Sequence, residues 1–365
     1  MALIDKFFQY MVENGVSDLH LSSGEKPMVR RHGELAPLGD KALTNDKLRT
    51  ILCEILTDAQ VKYFEDTRDL DFAYELPGVA RFRGNYFMQQ RGVGGVFRTI
   101  PSQVLTMEEL GLPPVVREFA GLPRGLVLVT GPTGSGKSTT LASILDHVNA
   151  MRKCHILTIE DPVEFVHESK LSLVSHREVG THTNSFASAL RAALREDPDV
   201  ILLGEMRDLE TIELAITAAE TGHLVLGTLH TSSAPKTVDR VIDVFPSGQQ
   251  NQIRSMLSES IKGVISQQLL RRADKQGRVA AYGVLVVTSA VANLIREGKT
   301  FQIPSIMQTG KQLGMRLLDG EIMALYNDGV VSAEEAYAKS SDKKAFEALL
   351  GDKAPNSTVN SEAEI

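Results

Sequence analysis

The sequence predicts an α/β protein: a small N-terminal α/β domain, then a larger domain on a mostly parallel sheet. Two observations predict it. From residue 124 onward, apolar runs of strand length alternate with helical patterns, as in a parallel sheet covered on both faces. The first hundred residues instead carry short strands punctuated by Pro77-Gly78 and Arg91-Gly92. The chain has 365 residues, 42% apolar and 23% charged, enough for more than one domain and against wholesale disorder.

Elements follow in order. Leu3, Phe7, Tyr10 and Met11 fall at helical spacing, which predicts a helix over 4–14 ending near Gly15. Strands are expected at 18–21 and 28–31, with a turn at Ser23-Gly24 between them. Helices are expected at 48–56 and 59–65, then strands at 70–75, 80–89 and 94–99. Residues 100–123 change character: Pro101, Pro113, Pro114 and Pro123 punctuate them, around a short helix at 105–110. This stretch is expected to be an interdomain linker.

The second domain is expected at 124–340, with strands at 126–130, 155–160, 200–204, 224–229 and 279–287. A helical region at 249–270 precedes the last of these. The remainder, 341–365, holds a short helix at 343–350 and then a polar, aperiodic tail expected to be disordered.

Charge and composition exclude several classes. A net charge of −7 argues against a general nucleic-acid binder. Cys53 and Cys154 form no CxxC pair and no zinc spacing, so both are expected to be reduced, small hydrophobes. The start carries Asp5, Lys6 and Glu13 where a signal core would be apolar. The longest apolar stretch, 279–295, is interrupted by Thr288, Ser289 and Asn293 and is too short to span a bilayer. The expectation is a soluble, cytoplasmic protein with no membrane insertion of its own.

The decisive segment is Gly131-Pro132-Thr133-Gly134-Ser135-Gly136-Lys137-Ser138-Thr139, the Walker A pattern, with an apolar strand before it and a helix at 139–149 after it. Its glycines let backbone N–H groups turn around phosphates without a Cβ in the way. The helix N-terminus adds its positive dipole end. Lys137 is expected to reach the β- and γ-phosphates, and the Ser138 hydroxyl to ligate Mg²⁺. Four such positions match by chance in roughly 2% of chains this long, and the strand–helix context cuts that further.

Two carboxylate positions complete a hydrolytic set. An apolar strand at 200–204 ends in Glu205, where the Walker B carboxylate that holds Mg²⁺ is usually Asp; the longer arm points to contact through water. Pro162 breaks the strand at 155–160 beside Glu160, Asp161 and Glu164, each placed where a base could activate water, and spacing does not choose among them. Candidate cations for the transferring phosphoryl group are Arg81, Arg83 and Arg98 in the first domain and Arg195, Arg207 and Arg240 in the second. His223 and His230 flank the strand at 224–229, each a structural or a sensing histidine.

These segments resemble the PilT family, the retraction ATPases of bacterial type IV pili, within the secretion-ATPase superfamily. The resemblance is carried by 17–21, 77–83, 96–101, the phosphate loop, 156–169, 204–211 and 222–231, and it extends to about Asp328. It implies a PAS-like N-terminal domain over 1–99, a RecA-like ATPase domain and a homo-hexamer. It also implies Glu164 as catalytic base, Glu205 as the Walker B carboxylate, His230 as a nucleotide or interface sensor, and Arg81, Arg83 and Arg98 as charge donors. ATP and Mg²⁺ are the implied cofactors. The implied partners are an inner-membrane platform protein, with peripheral docking there, and pilus subunits indirectly. The family's AIRNLIRE segment reads AVANLIRE at 290–297, with Ala292 where the arginine stands. The extension motors' tetracysteine zinc site is missing, which tilts the expectation toward retraction. The alternatives are a paralogous pilus-extension or type II secretion ATPase, then a nucleic-acid translocase.

Overall fold

The computed structural model describes residues 2–31, 34–100 and 103–353. Pro101 of the expected linker and the tail beyond residue 353 lie outside the described residues. The expected fold class holds: α/β, with two sheets. Six antiparallel strands form the first: β1 (Asp18–Ser22), β2 (Met28–Arg31), β3 (Glu34–Pro37), β4 (Asp69–Leu76), β5 (Ala80–Gln89) and β6 (Gly92–Ile100), in the order β3-β2-β1-β6-β5-β4. Seven form the second: β7 (Gly125–Thr130), β8 (His155–Glu160), β9 (Leu173–Glu178), β10 (Val200–Leu203), β11 (Leu224–Leu229), β12 (Ile261–Arg271) and β13 (Arg278–Val286). Their order is β13-β12-β7-β11-β10-β8-β9.

The chain divides into two compact units. The first holds Met1–Val104 together with Ile159–Glu168 and His176–Phe186; the second holds Leu105–Thr158, Ser169–Ser175 and Ala187–Ile365. The sequence expectation of an unbroken first domain at 1–99 did not include those two later segments.

In the first unit the helix Asp5–Glu13 and its N-cap residue Ile4 lay Ile4, Phe8 and Met11 on the sheet, all fully buried. That is the i, i+4, i+7 stripe of an amphipathic helix. Leu3, expected on that face, is 48% exposed. Phe8 stacks on Phe82 at 4.2 Å and meets Phe97 edge-on at 5.0 Å. Gly84 and Gly94 leave room for rings: a Cβ there would meet Phe72 at 2.8 Å and Phe87 at 2.6 Å.

In the second unit β7 is central and buried along its whole length. It runs parallel to β11 and β12, while β12 and β13 form an antiparallel pair at the sheet edge. Strands buried on both faces read as continuous apolar runs, which is why β7, β8 and β11 were legible.

Two expectations are corrected here. The helical region at 249–270 is a helix only over Ser247–Ser260; the chain then enters β12 directly at Ile261. The β-branched Ile261, Val264 and Ile265 favour the strand, and β7 supplies its hydrogen-bond partner. The short helix at 105–110 is only a turn closed by Leu110 N–H to Thr106 O at 3.1 Å. Gly111 at φ +66° and Pro113 stop it, and a helix, Val115–Ala120, starts after Pro114.

Candidate nucleotide site

The phosphate loop joins β7 to the helix Lys137–Met151. Gly131, Gly134 and Gly136 have φ of +151°, +77° and +89°, backbone that disfavours a side chain. Space makes the same demand. A Cβ on Gly131 would lie 2.3 Å from Gln267 O and 2.6 Å from Ser135 Oγ, and one on Gly136 would lie 2.8 Å from Gln267 Nε2. The loop is thus a cradle that side chains would fill. Lys137 Nζ donates to Gly131 O at 3.0 Å and Pro132 O at 3.2 Å, so the ammonium sits over the loop's own carbonyls. Ser135 Oγ is buried with no hydrogen-bond partner among the described residues. A buried hydroxyl without a partner is costly unless something else engages it. Cradle, ammonium and orphan hydroxyl together fit the phosphates of a nucleotide.

Glu205 follows β10 and is held on both sides by Thr228 of β11. Thr228 Oγ1 donates to Gly204 O at 2.5 Å, and Met206 N–H donates to Thr228 O at 3.1 Å. Met206 fills the space above Gly227, where a Cβ would lie 2.6 Å from its sulfur. His230, just past β11, places Nε2 2.7 Å from Glu205 Oε1. Arg207 Nε reaches the same oxygen at 2.5 Å. Partial burial of the Glu205 carboxyl opposes its ionisation. The Arg207 guanidinium and His230 outweigh that and hold it below the usual carboxylate range. β7 and β11 are adjacent and parallel, so the phosphate loop and His230 emerge at the same sheet edge, one strand from Glu205.

His223 stands at the opposite end of β11. Its Nδ1 meets Ala218 O at 2.9 Å and its carbonyl accepts from Gly125 N–H, which is a structural role. Of Arg195, Arg207 and Arg240, Arg207 is the one ion-paired with Glu205 among the described residues.

The other charged candidates gather in the first unit. Arg81 and Arg83 alternate with the buried Phe82 on β5 and so share one face. Arg81 Nε donates to Val163 O at 3.1 Å, and its Nη2 lies 3.4 Å from Glu178. The Glu178 carboxylate also accepts from Val163 N–H at 3.0 Å and from Thr181 Oγ1 at 3.0 Å. Arg81 and Glu178 therefore grip both sides of Val163, the residue before Glu164. Arg83 lies 3.6 Å from Glu164. Arg98, opposite Arg83 in register, is turned to Asp18 on β1 at 2.8 Å. Among Glu160, Asp161 and Glu164, Glu164 is brought onto an N-terminal arginine, Arg83. Glu178 and Gln267 escaped sequence reasoning. Neither belongs to a local motif, and each is placed by strand register alone.

No helix of the described residues is long and apolar enough to cross a membrane. Residues 1–305 match the family described as Type II/IV secretion system protein. The chain is 54% identical over 343 residues to the type IV pilus retraction ATPase PilT of Pseudomonas aeruginosa, covering 94% of this chain and 99% of that one. It is 52% identical to a twitching motility protein of Neisseria gonorrhoeae over 88% of this chain and 86% of that one. A crystal structure of the pilus retraction motor PilT with bound ADP superposes with a TM-score of 0.86 at 44% identity, covering 94% of this chain and 98% of that one. The motifs, the two-sheet fold and these likenesses agree: the chain belongs to the Type II/IV secretion system protein family.

Proposed function

We propose that this chain is an ATP-hydrolysing motor, assembled as a homo-hexamer, that powers retraction of type IV pili and so twitching motility. The observation that carries the reading is one sheet edge. There β7 ends in the phosphate loop, β10 in Glu205 and β11 in His230, on a chain 54% identical to a pilus retraction ATPase.

In this reading Lys137 and the loop N–H groups bind the phosphates. Ser138 and Glu205 would hold Mg²⁺, which would supply neutralising charge at the phosphates. Glu164 takes the proton of the attacking water, with the residue before it, Val163, held by Arg81 and Glu178. Arg83 supplies positive charge beside that base, while Arg98 lies on the same sheet paired with Asp18. His230 reads the state of Glu205 through their shared hydrogen bond. Turnover drives movement against an inner-membrane platform protein, to which the hexamer docks peripherally, and pilus subunits return to the membrane. The chain's net charge of −7 favours this over a nucleic-acid translocase.

Live imaging of labelled pili tests the reading. A strain lacking this chain is complemented with wild type or with Lys137→Ala. Pili that extend without retracting, restored only by wild type, are expected. Cells without pili would make the protein an extension motor instead.

A further inference from the structure

Gln267 lies on β12, 3% exposed, beside the strand that feeds the phosphate loop. Its side chain is fully engaged at both ends. Thr140 Oγ1, in the helix after the loop, donates to its Oε1 at 2.7 Å. Its Nε2 donates to Ser135 O at 2.5 Å. One strand position earlier, Ser266 Oγ lies 3.2 Å from Thr130 Oγ1, the last residue of β7. The register partner of Gln267 on β13, Tyr282, anchors the same region by donating to Leu110 O at 3.1 Å. Burial pushes the Tyr282 phenol up to about 12, so it stays a neutral donor.

Thr140 fixes which way the amide faces. Its hydroxyl, which also meets the Tyr282 phenol, donates to Oε1, and this turns Nε2 toward the loop. A planar trans peptide then transmits the direction. With Ser135 C=O held against Gln267, the N–H of Gly136 in the same peptide points away from β12. In a phosphate loop that N–H is a ligand to the nucleotide. The glycines record the same approach, because side chains at Gly131 and Gly136 would strike Gln267 itself.

We infer that Gln267 is a positioning residue for nucleotide binding: it presets the Ser135–Gly136 peptide so that the loop presents its N–H groups to phosphate without reorganisation. The inference rests on the phosphate-site reading above.

ADP titrations of the full chain by calorimetry test both. Loss of ADP binding in Lys137→Ala supports the phosphate site; a Lys137→Ala protein that binds like wild type would sink that reading by itself. Gln267→Leu, similar in size but without the amide, is expected to weaken ADP binding about 10-fold or more. Thr140→Val, which frees the amide to turn and also removes the hydroxyl's contact with Tyr282, is expected to weaken it in the same direction, and Thr140→Ser to restore it. Gln267→Glu gives a readout that packing alone would not move. A protonated carboxyl can still donate to Ser135 O, whereas a carboxylate presents oxygen to oxygen. Its affinity relative to wild type should therefore fall between about pH 5 and about pH 9. Wild-type affinity in Gln267→Leu and Thr140→Val, or a Gln267→Glu ratio constant across that range, would overturn the inference.

Discussion

His230 Nε2 and Glu205 Oε1 lie 2.7 Å apart, joining the residue after β11 to the carboxylate after β10. Because Arg207 shares that oxygen, Glu205 is held ionised against its burial. Removing Arg207 removes the larger of the two opposing influences and lets the carboxyl pKa rise. The acid limb of the pH–rate profile for ATP hydrolysis should therefore move to higher pH in Arg207→Ala. The neutral-pH plateau should change less than the acid limb. A limb that stays in place would mean that another group controls it.

Lys137→Ala deletes the ammonium that now sits over Gly131 O and Pro132 O. Transition-state charge on the phosphates then loses its direct partner. Hydrolysis should fall about 100-fold or more, together with nucleotide affinity. Steady-state phosphate release and ADP titration measure the two separately.

Glu164→Gln keeps the shape of the loop held by Arg81 and Glu178 but cannot accept a proton. Turnover should drop by about 10²–10⁴-fold while ADP affinity stays close to wild type. Loss of affinity of the same size would reassign Glu164 from base to structural carboxylate. Glu178→Gln is expected to lower turnover less, because its amide still accepts from Val163 N–H.

Phe8→Ala opens a cavity between Phe82 and Phe97 in the N-terminal unit. Deleting a fully buried phenylalanine costs about 3–5 kcal/mol. Thermal unfolding should show the midpoint falling for that variant, whereas Leu3→Ala, at a site 48% exposed, should change it little.

The phosphate loop was legible because its residues are consecutive and the physics of the turn dictates their types. Glu205 and His230 were legible as strand-end residues, but their mutual bond was not, since it depends on β10 and β11 pairing in register. Arg81, Arg83 and Arg98 were found as a group, yet their different partners followed only from the sheet. β12 was misread because its helix-to-strand switch occurs between Ser260 and Ile261 without a turn residue. Gln267 was lost with it, a polar residue inside what looked like a helix. Leu3 shows the same limit on a smaller scale: helical spacing finds a face, while only the sheet decides which of two adjacent apolar rows it covers.

The N-terminal unit draws on three separate stretches of chain, with Ile159–Glu168 and His176–Phe186 returning to it after the phosphate loop has been laid down. No single splice separates the two units. A fragment ending at residue 104 would lack the stretch that carries Glu164, and a fragment beginning there would carry it without Arg81 and Arg83. Grafting the N-terminal unit of a relative onto this chain's second unit therefore requires three exchanges at once. A ribosome supplies the last stretch of the first unit only after β7, β8 and β9 have been made, so the N-terminal unit cannot be finished until part of the second has left the ribosome.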